Sequence, residues 1–187
     1  MYNKNDIVLY GNQGVCKIFD IVEKEIANEV NEYYVLKPVN DVHSTVYVPT
    51  QNEKLTSKMK KVLSVEEIYD LINDMPNEKE IWIDDFNERK ETYSKILYSG
   101  DRKELIRLIK TLYLHQEELK KNKKRLYIAD ERILKEATNI LHEEFAYVLH
   151  IEKDDVLPFL TYGQFIYKYL LYSNLTKKYN KKPPFSL

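Results

Sequence analysis

The fold is decided where Ser64-Val-Glu-Glu-Ile-Tyr-Asp-Leu-Ile72 follows a series of short apolar runs. Ser64 and Glu67 have the spacing of a capping box, which marks the first turn of an α-helix. Apolar residues then recur at helical spacing, at Val65, Ile68, Leu71 and Ile72. We therefore expect β-structure before Ser64 and helices after it.

The segment before Ser64 is rich in Val, Ile and Tyr, which favour strands. Gly11 and Gly14 frame the first connection, and Asn28 is placed to close a hairpin because it tolerates positive φ. Short strands with tight turns indicate a small antiparallel sheet or barrel. The predicted strands are Ile7–Tyr10, Val15–Val22, Tyr33–Val39 and Thr45–Val48.

The segment after Ser64 has helical periodicity throughout. The first helix ends at Pro76, and three further helices are predicted at about Ile81–Tyr98, Asp101–Lys120 and Asp130–Leu149. Gly100 closes one helix and Asp101 caps the next. The fold class is α+β, with an N-terminal β module at 1–62, an all-α bundle at 63–160 and a basic aromatic tail at 161–187.

The composition is that of a folded chain with little overall charge. Of 187 residues, 43% are hydrophobic and 32% charged, and the net charge is -1, so any nucleic-acid contact needs a local basic patch. Cys16 is the only cysteine, which excludes an internal disulfide and favours a reducing compartment. No apolar run reaches the ~20 residues of a membrane span, so we expect a cytoplasmic protein.

The sequence offers little support for catalysis. His142-Glu-Glu-Phe-Ala146 begins like a zincin motif, but alanine stands where the second histidine is needed. The glycines do not cluster as in a phosphate-binding loop, and Cys16 has no adjacent activating group. We expect no enzyme, no cofactor and no metal site.

Two features carry both a structural and a functional interpretation. The basic run Lys120–Arg125 is either a solvated helix end or a phosphate contact. Trp82, the only tryptophan, is either a core anchor or an aromatic wedge at a base step.

Motifs in both parts of the chain resemble CarD/CdnL-type bacterial transcription regulators. The N-terminal part carries Asn5-Asp-Ile-Val-Leu-Tyr-Gly-Asn-Gln-Gly-Val15, Glu32-Tyr-Tyr-Val-Leu36 and Val46-Tyr-Val-Pro49. The helical part carries Ser99-Gly-Asp101 and Asp130-Glu-Arg-x-Leu-x-x-Ala137. The resemblance covers about residues 1–160. It implies a Tudor/SH3-like module that binds the RNA polymerase β subunit, and a helical domain that contacts promoter DNA at the upstream edge of the melted region.

The resemblance also implies roles for individual residues. Lys24 and Tyr47, with Val46 and Val48 beside it, match polymerase-contact positions, although many relatives have arginine at the first two. On the DNA side, Trp82 matches the wedge tryptophan, and Phe86 is the alternative because counting back from Gly100 reaches it. The other expected DNA contacts are Arg89, Lys90, Arg132, Lys123, Lys124 and Arg125.

Two hypotheses follow for the whole chain. In the first, a monomeric, non-enzymatic regulator holds RNA polymerase and stabilises the open promoter through weak, polymerase-dependent DNA contacts. In the second, a polymerase-bound adaptor has lost useful DNA contact, because the 63–160 segment carries a net charge of -6. The tail 161–187 is either an amphipathic docking helix or a disordered segment.

Overall fold

The computed structural model describes residues 1–26, 29–41 and 43–160. Its N-terminal part is one antiparallel sheet with the strand order β4-β3-β2-β1-β5, which confirms the predicted β module. The strands are β1 (Ile7–Tyr10), β2 (Val15–Ile26), β3 (Glu29–Pro38), β4 (Val46–Pro49) and β5 (Met59–Lys61). The hairpin residue Asn28 lies outside the described residues.

Two short elements of this module were not predicted. Helix α1 (Glu53–Thr56) follows β4 and is capped by the Asn52 side chain, which accepts a hydrogen bond from the Leu55 amide. Strand β5 pairs with β1, so that Met59 lies opposite Tyr10. Three residues with two exposed lysines carry little periodicity, and only the pairing with β1 makes them a strand.

The helical part contains α2 (Val65–Asp74), α3 (Phe86–Ser99), α4 (Arg102–Lys121) and α5 (Ile128–Leu149). The capping box is present as predicted, because the Ser64 hydroxyl accepts from the Glu67 amide and the Glu67 carboxylate accepts from the Ser64 amide. Gly100 is left-handed between α3 and α4, and the Asp101 side chain caps α4. The α+β class is confirmed.

The predicted start of the second helix at Ile81 is wrong. Helix α3 begins at Phe86, and its N-cap is Asp85, whose side chain accepts from the Glu88 amide at 2.8 Å. The Ile81 amide instead donates to the Thr111 hydroxyl on α4 at 2.9 Å. Residues 78–83 therefore form an irregular segment held against the bundle.

The sheet and the helices share one hydrophobic core. Leu9 and Val15 of the sheet pack with residues from every helix from α2 to α5, including Phe145 and Leu108. A second cluster inside the β module contains Val8, Ile18, Tyr34, Leu36, Val48 and Met59. Among the described residues, no helix has both the length and the apolar character to span a membrane.

A buried ion pair between α4 and α5 is hydrogen-bonded to the backbone at the end of the β module. The Arg102 guanidinium donates to both carboxylate oxygens of Glu144, at 2.6 and 2.9 Å, and to the Lys61 carbonyl at 2.8 Å. Glu144 also accepts from the Leu63 amide at 3.0 Å. Because Glu144 is 0% exposed, this network fixes the end of the β module on α4 and α5.

Candidate functional site

Trp82 lies in the irregular segment before α3 and is half-buried. Its indole N–H donates to the Asp84 carboxylate at 2.9 Å, and its ring stacks on His115 with a centroid separation of 3.6 Å and an interplanar angle of 25°. The guanidinium carbon of Arg89 lies 4.6 Å from the centroid of the same Trp82 ring. The indole is thus neither sealed in the core nor free in solvent.

Arg89 is 2% exposed and is hydrogen-bonded to the backbone next to Trp82. It pairs with the Asp130 carboxylate at 3.1 Å and donates to the carbonyls of Ile83 and Asp84 at 2.8 and 3.1 Å. All three guanidinium nitrogens are thus hydrogen-bonded inside the protein, and the burial of the group keeps it from solvent. Arg89, one of the predicted DNA contacts, is therefore a buried residue bonded to the backbone on either side of Asp84.

A second contact holds the same segment. The Tyr93 hydroxyl of α3 donates to the Ile81 carbonyl at 3.0 Å, and burial raises the pKa of Tyr93 to about 12. The backbone around Trp82 is therefore bonded to both α3 and α4.

Three aromatic rings surround the Arg89 guanidinium, and we call Trp82, Phe86 and Tyr127 the aromatic cluster. The Phe86 and Tyr127 centroids lie 5.6 and 5.9 Å from the guanidinium carbon and 5.8 Å from each other. Phe86 is 41% exposed and Tyr127 is 67% exposed. Tyr127 was missed because a lone tyrosine after a basic run has no periodicity that signals a site.

The chain segment before Tyr127 carries Lys123, Lys124 and Arg125, which we call the basic loop. All three side chains are exposed, and none takes part in the ion pairs found among the described residues. They line an open cavity of about 380 Å³ between the end of α4 and the start of α5. The cavity is also lined by Glu131, and the loop leads through Leu126 directly to Tyr127 of the aromatic cluster.

The remaining predicted DNA residues differ in their surroundings. Lys90 is exposed on the first turns of α3. Arg132 is exposed on α5 and pairs with Glu136 at 2.9 Å, and this hydrogen bond raises the pKa of Arg132. Acidic side chains are also exposed near Phe86, at Asp84, Asp85 and Glu88.

The predicted polymerase contacts lie on β2 and β4. The Lys24 ammonium sits 3.9 Å from the centroid of the exposed Tyr47 ring, which also meets Tyr33 edge-on at 6.4 Å. Val46 is half-buried, and Val48 is fully buried in the core of the β module. Only the backbone of β4 is therefore available at Val48. Among the described strands β4 pairs with β3 alone, so its other edge is open.

Two titratable side chains considered in the sequence have shifted pKa values. Burial raises the pKa of the Cys16 thiol to about 12, and burial lowers the pKa of His142. The described residues contain no group of three or more His, Cys, Asp or Glu side chains placed to hold a metal ion.

Comparison with known families identifies both parts of the chain. The family model described as the CarD-like/TRCF RID domain matches residues 2–63, and that of the CarD C-terminal domain matches residues 67–161. No curated protein matches the chain significantly. CarD-like domains occur in transcription-associated proteins that interact with RNA polymerase. The chain belongs to the CarD-like family and is a CarD/CdnL-type protein.

Proposed function

We propose that this protein is a non-enzymatic, monomeric, cytoplasmic regulator that binds the RNA polymerase β subunit through its sheet and stabilises the open promoter through its helical domain. One observation supports the DNA-contacting part most strongly. The aromatic cluster is held around the buried Arg89, and its Tyr127 closely follows in the chain three exposed cations that have no ion-pair partner among the described residues.

The sheet supplies the proposed polymerase contact. Strand β4 has an open edge, and an extended segment of a partner can pair with such an edge through main-chain hydrogen bonds. Lys24 and Tyr47 lie together on the exposed face beside this edge, where they give the contact a cation and an aromatic ring. Val46 and Val48 act through the β4 backbone, because their side chains face inward or lie half-buried.

The helical domain supplies the proposed DNA contact. The exposed ring of Phe86 and the outer edge of Trp82 offer apolar surface to an unstacked base step, as minor-groove binders do. Lys90 and the basic loop supply exposed cations for the phosphates, and Arg132 adds a further cation on α5. Arg89 holds the rings in place without contacting DNA.

We expect DNA affinity to be weak unless polymerase is present. Asp84, Asp85 and Glu88 repel phosphate at one side of the aromatic cluster. Tethering to polymerase raises the effective concentration of the helical domain at the promoter, so weak contacts suffice.

The test is salt-titrated binding to a forked promoter fragment, with and without RNA polymerase. Each phosphate contact contributes about -0.7 to -0.9 to the slope of log affinity against log salt, so Lys123→Ala/Lys124→Ala should flatten it by about 1 to 2. The matched control Lys54→Ala/Lys60→Ala removes two exposed cations of the β module and should leave the slope unchanged.

The same experiment separates the adaptor hypothesis, which the exposed acidic residues around the aromatic cluster favour. An adaptor would co-purify with polymerase, but it would show no salt-dependent binding to the promoter fragment. Failure to co-purify with polymerase would refute both hypotheses.

A further inference from the structure

Ile128 is the most exposed apolar residue in the described helical domain. It is 85% exposed at the first position of α5, directly after Tyr127 and three residues after the basic loop. We call Tyr127 and Ile128 the tip. An isoleucine in this position contributes little to the core, and together with the 67% exposed Tyr127 it leaves two consecutive apolar side chains available to a partner.

Two further features of this connection are poor choices for stability. Lys123 adopts a left-handed conformation with φ of 56°, where glycine is normally preferred. Tyr127 is the N-cap of α5 and makes no side-chain capping bond, although Ser, Thr, Asp or Asn would make one. Departures from local rules of this kind are typical of functional sites.

The connection is nevertheless held by several hydrogen bonds. The Lys123 amide donates to the Lys120 carbonyl and the Lys124 amide to the Leu119 carbonyl, both at 2.9 Å, which is the Schellman pattern at the end of α4. Leu126 is buried beneath the loop. At the start of α5, Asp130 is fixed by Arg89 at 3.1 Å. The tip therefore lies between the hydrogen-bonded end of α4 and a start of α5 that is held by the Arg89–Asp130 pair.

We propose that the tip and the basic loop form one DNA-contacting element, in which Ile128 and Tyr127 pack against exposed base faces while Lys123, Lys124 and Arg125 contact phosphates. This inference rests on the proposed function: it gives Tyr127 of the aromatic cluster a base contact and adds Ile128 to the DNA surface. The basic loop, which has no ion-pair partner in the part of the chain that the structure describes, precedes the apolar tip, and this combination favours nucleic acid over a neutral protein surface.

The direct test uses the single cysteine of the chain. Cys16 is buried and its pKa is about 12, so in Ile128→Cys only the new thiol reacts with an azidophenacyl reagent. The labelled full-length protein is irradiated with a forked promoter fragment at low salt, alone and with RNA polymerase. We expect an adduct to DNA from position 128. The control Val30→Cys, exposed on β3, should give no DNA adduct.

The outcomes are distinct. No DNA adduct from position 128 in either mixture overturns the inference, and so does an adduct to polymerase alone. Co-purification with RNA polymerase and the lifetime of the open promoter complex are measured in the same mixtures. These two measurements test the proposed function separately. If no DNA adduct forms but the lifetime of the open promoter complex is still lengthened, the inference about the tip is refuted and the proposed function is not.

A second variant tests the lysine in the left-handed conformation. Lys123→Gly should fold with an unchanged or higher Tm, because glycine fits the backbone, and should flatten the salt slope of DNA binding by about 0.7 to 0.9. An unchanged slope in the well-folded variant would show that Lys123 does not contact phosphate and would overturn that part of the inference.

Discussion

Replacing Glu144 by glutamine tests how the sheet is fastened to the helices. Glu144 is 0% exposed and accepts two hydrogen bonds from Arg102 and one from the Leu63 amide. Glutamine keeps the volume and one oxygen for Leu63, but it turns an amide donor toward a guanidinium that is itself buried. The substitution therefore leaves one positive charge without its partner.

The expected loss of folding stability follows from the burial of this ion pair. Removing one member of a buried ion pair typically lowers the free energy of unfolding by about 3–5 kcal/mol. For a chain of this size, 1 kcal/mol corresponds to about 2–4 °C, so Glu144→Gln should lower Tm by roughly 6–20 °C. Thermal and urea unfolding followed by circular dichroism measure both quantities.

Two controls make the result specific to the buried pair. Glu91→Gln breaks the exposed Lys95–Glu91 pair and should leave Tm unchanged. The double variant Arg102→Met/Glu144→Leu removes both charges and should be more stable than Glu144→Gln. A Tm for Glu144→Gln equal to that of Glu91→Gln would refute the assignment of the pair as a fastening between the two parts.

Three further predictions concern the aromatic cluster, a tight turn and a histidine. Arg89→Lys removes the planar fork that bonds the Trp82 segment, so fluorescence from Trp82 should shift to longer wavelength as the indole becomes more exposed; unchanged emission would contradict the positioning role. Gly14→Ala places a Cβ against the Glu143 carboxylate at φ of 68°, so it should cost about 1–3 kcal/mol in urea unfolding, more than Gly11→Ala, which meets no atom. Burial lowers the pKa of His142 in the folded state below its ordinary 6.5, so the unfolded state binds more protons in the window between the two values. Stability should therefore decline as pH falls through and below about 6.5, and His142→Gln should reduce that decline; an identical pH profile for the variant would show that His142 does not contribute.

The parts of the fold that rest on local signals could be predicted from the sequence. The Val, Ile and Tyr runs predicted β1 to β4, although β2 and β3 extend further along the hairpin than expected. Ser64 and Glu67 form the capping box that their spacing predicts. Gly100 ends α3 because glycine readily adopts the left-handed conformation required there. Asp101 begins α4 because its side chain supplies the capping group.

The parts that rest on distant contacts could not be predicted. The apolar Ile81–Ile83 run favoured a helix start, but Asp85 is the N-cap, and a hydrogen bond to α4 holds the run outside the helix. The partners of Arg89 and Arg102 lie 41 and 42 residues away in the sequence, and no periodicity links them. Arg89 therefore resembled a surface cation until its burial was known.

The most direct measurement is the lifetime of the open promoter complex after challenge with a competitor. The wild-type protein should lengthen that lifetime, and Trp82→Ala/Phe86→Ala should lose most of the effect while still co-purifying with RNA polymerase and unfolding cooperatively. An equal lifetime for the wild-type protein and this folded, polymerase-bound variant would contradict the role of the aromatic cluster at the promoter.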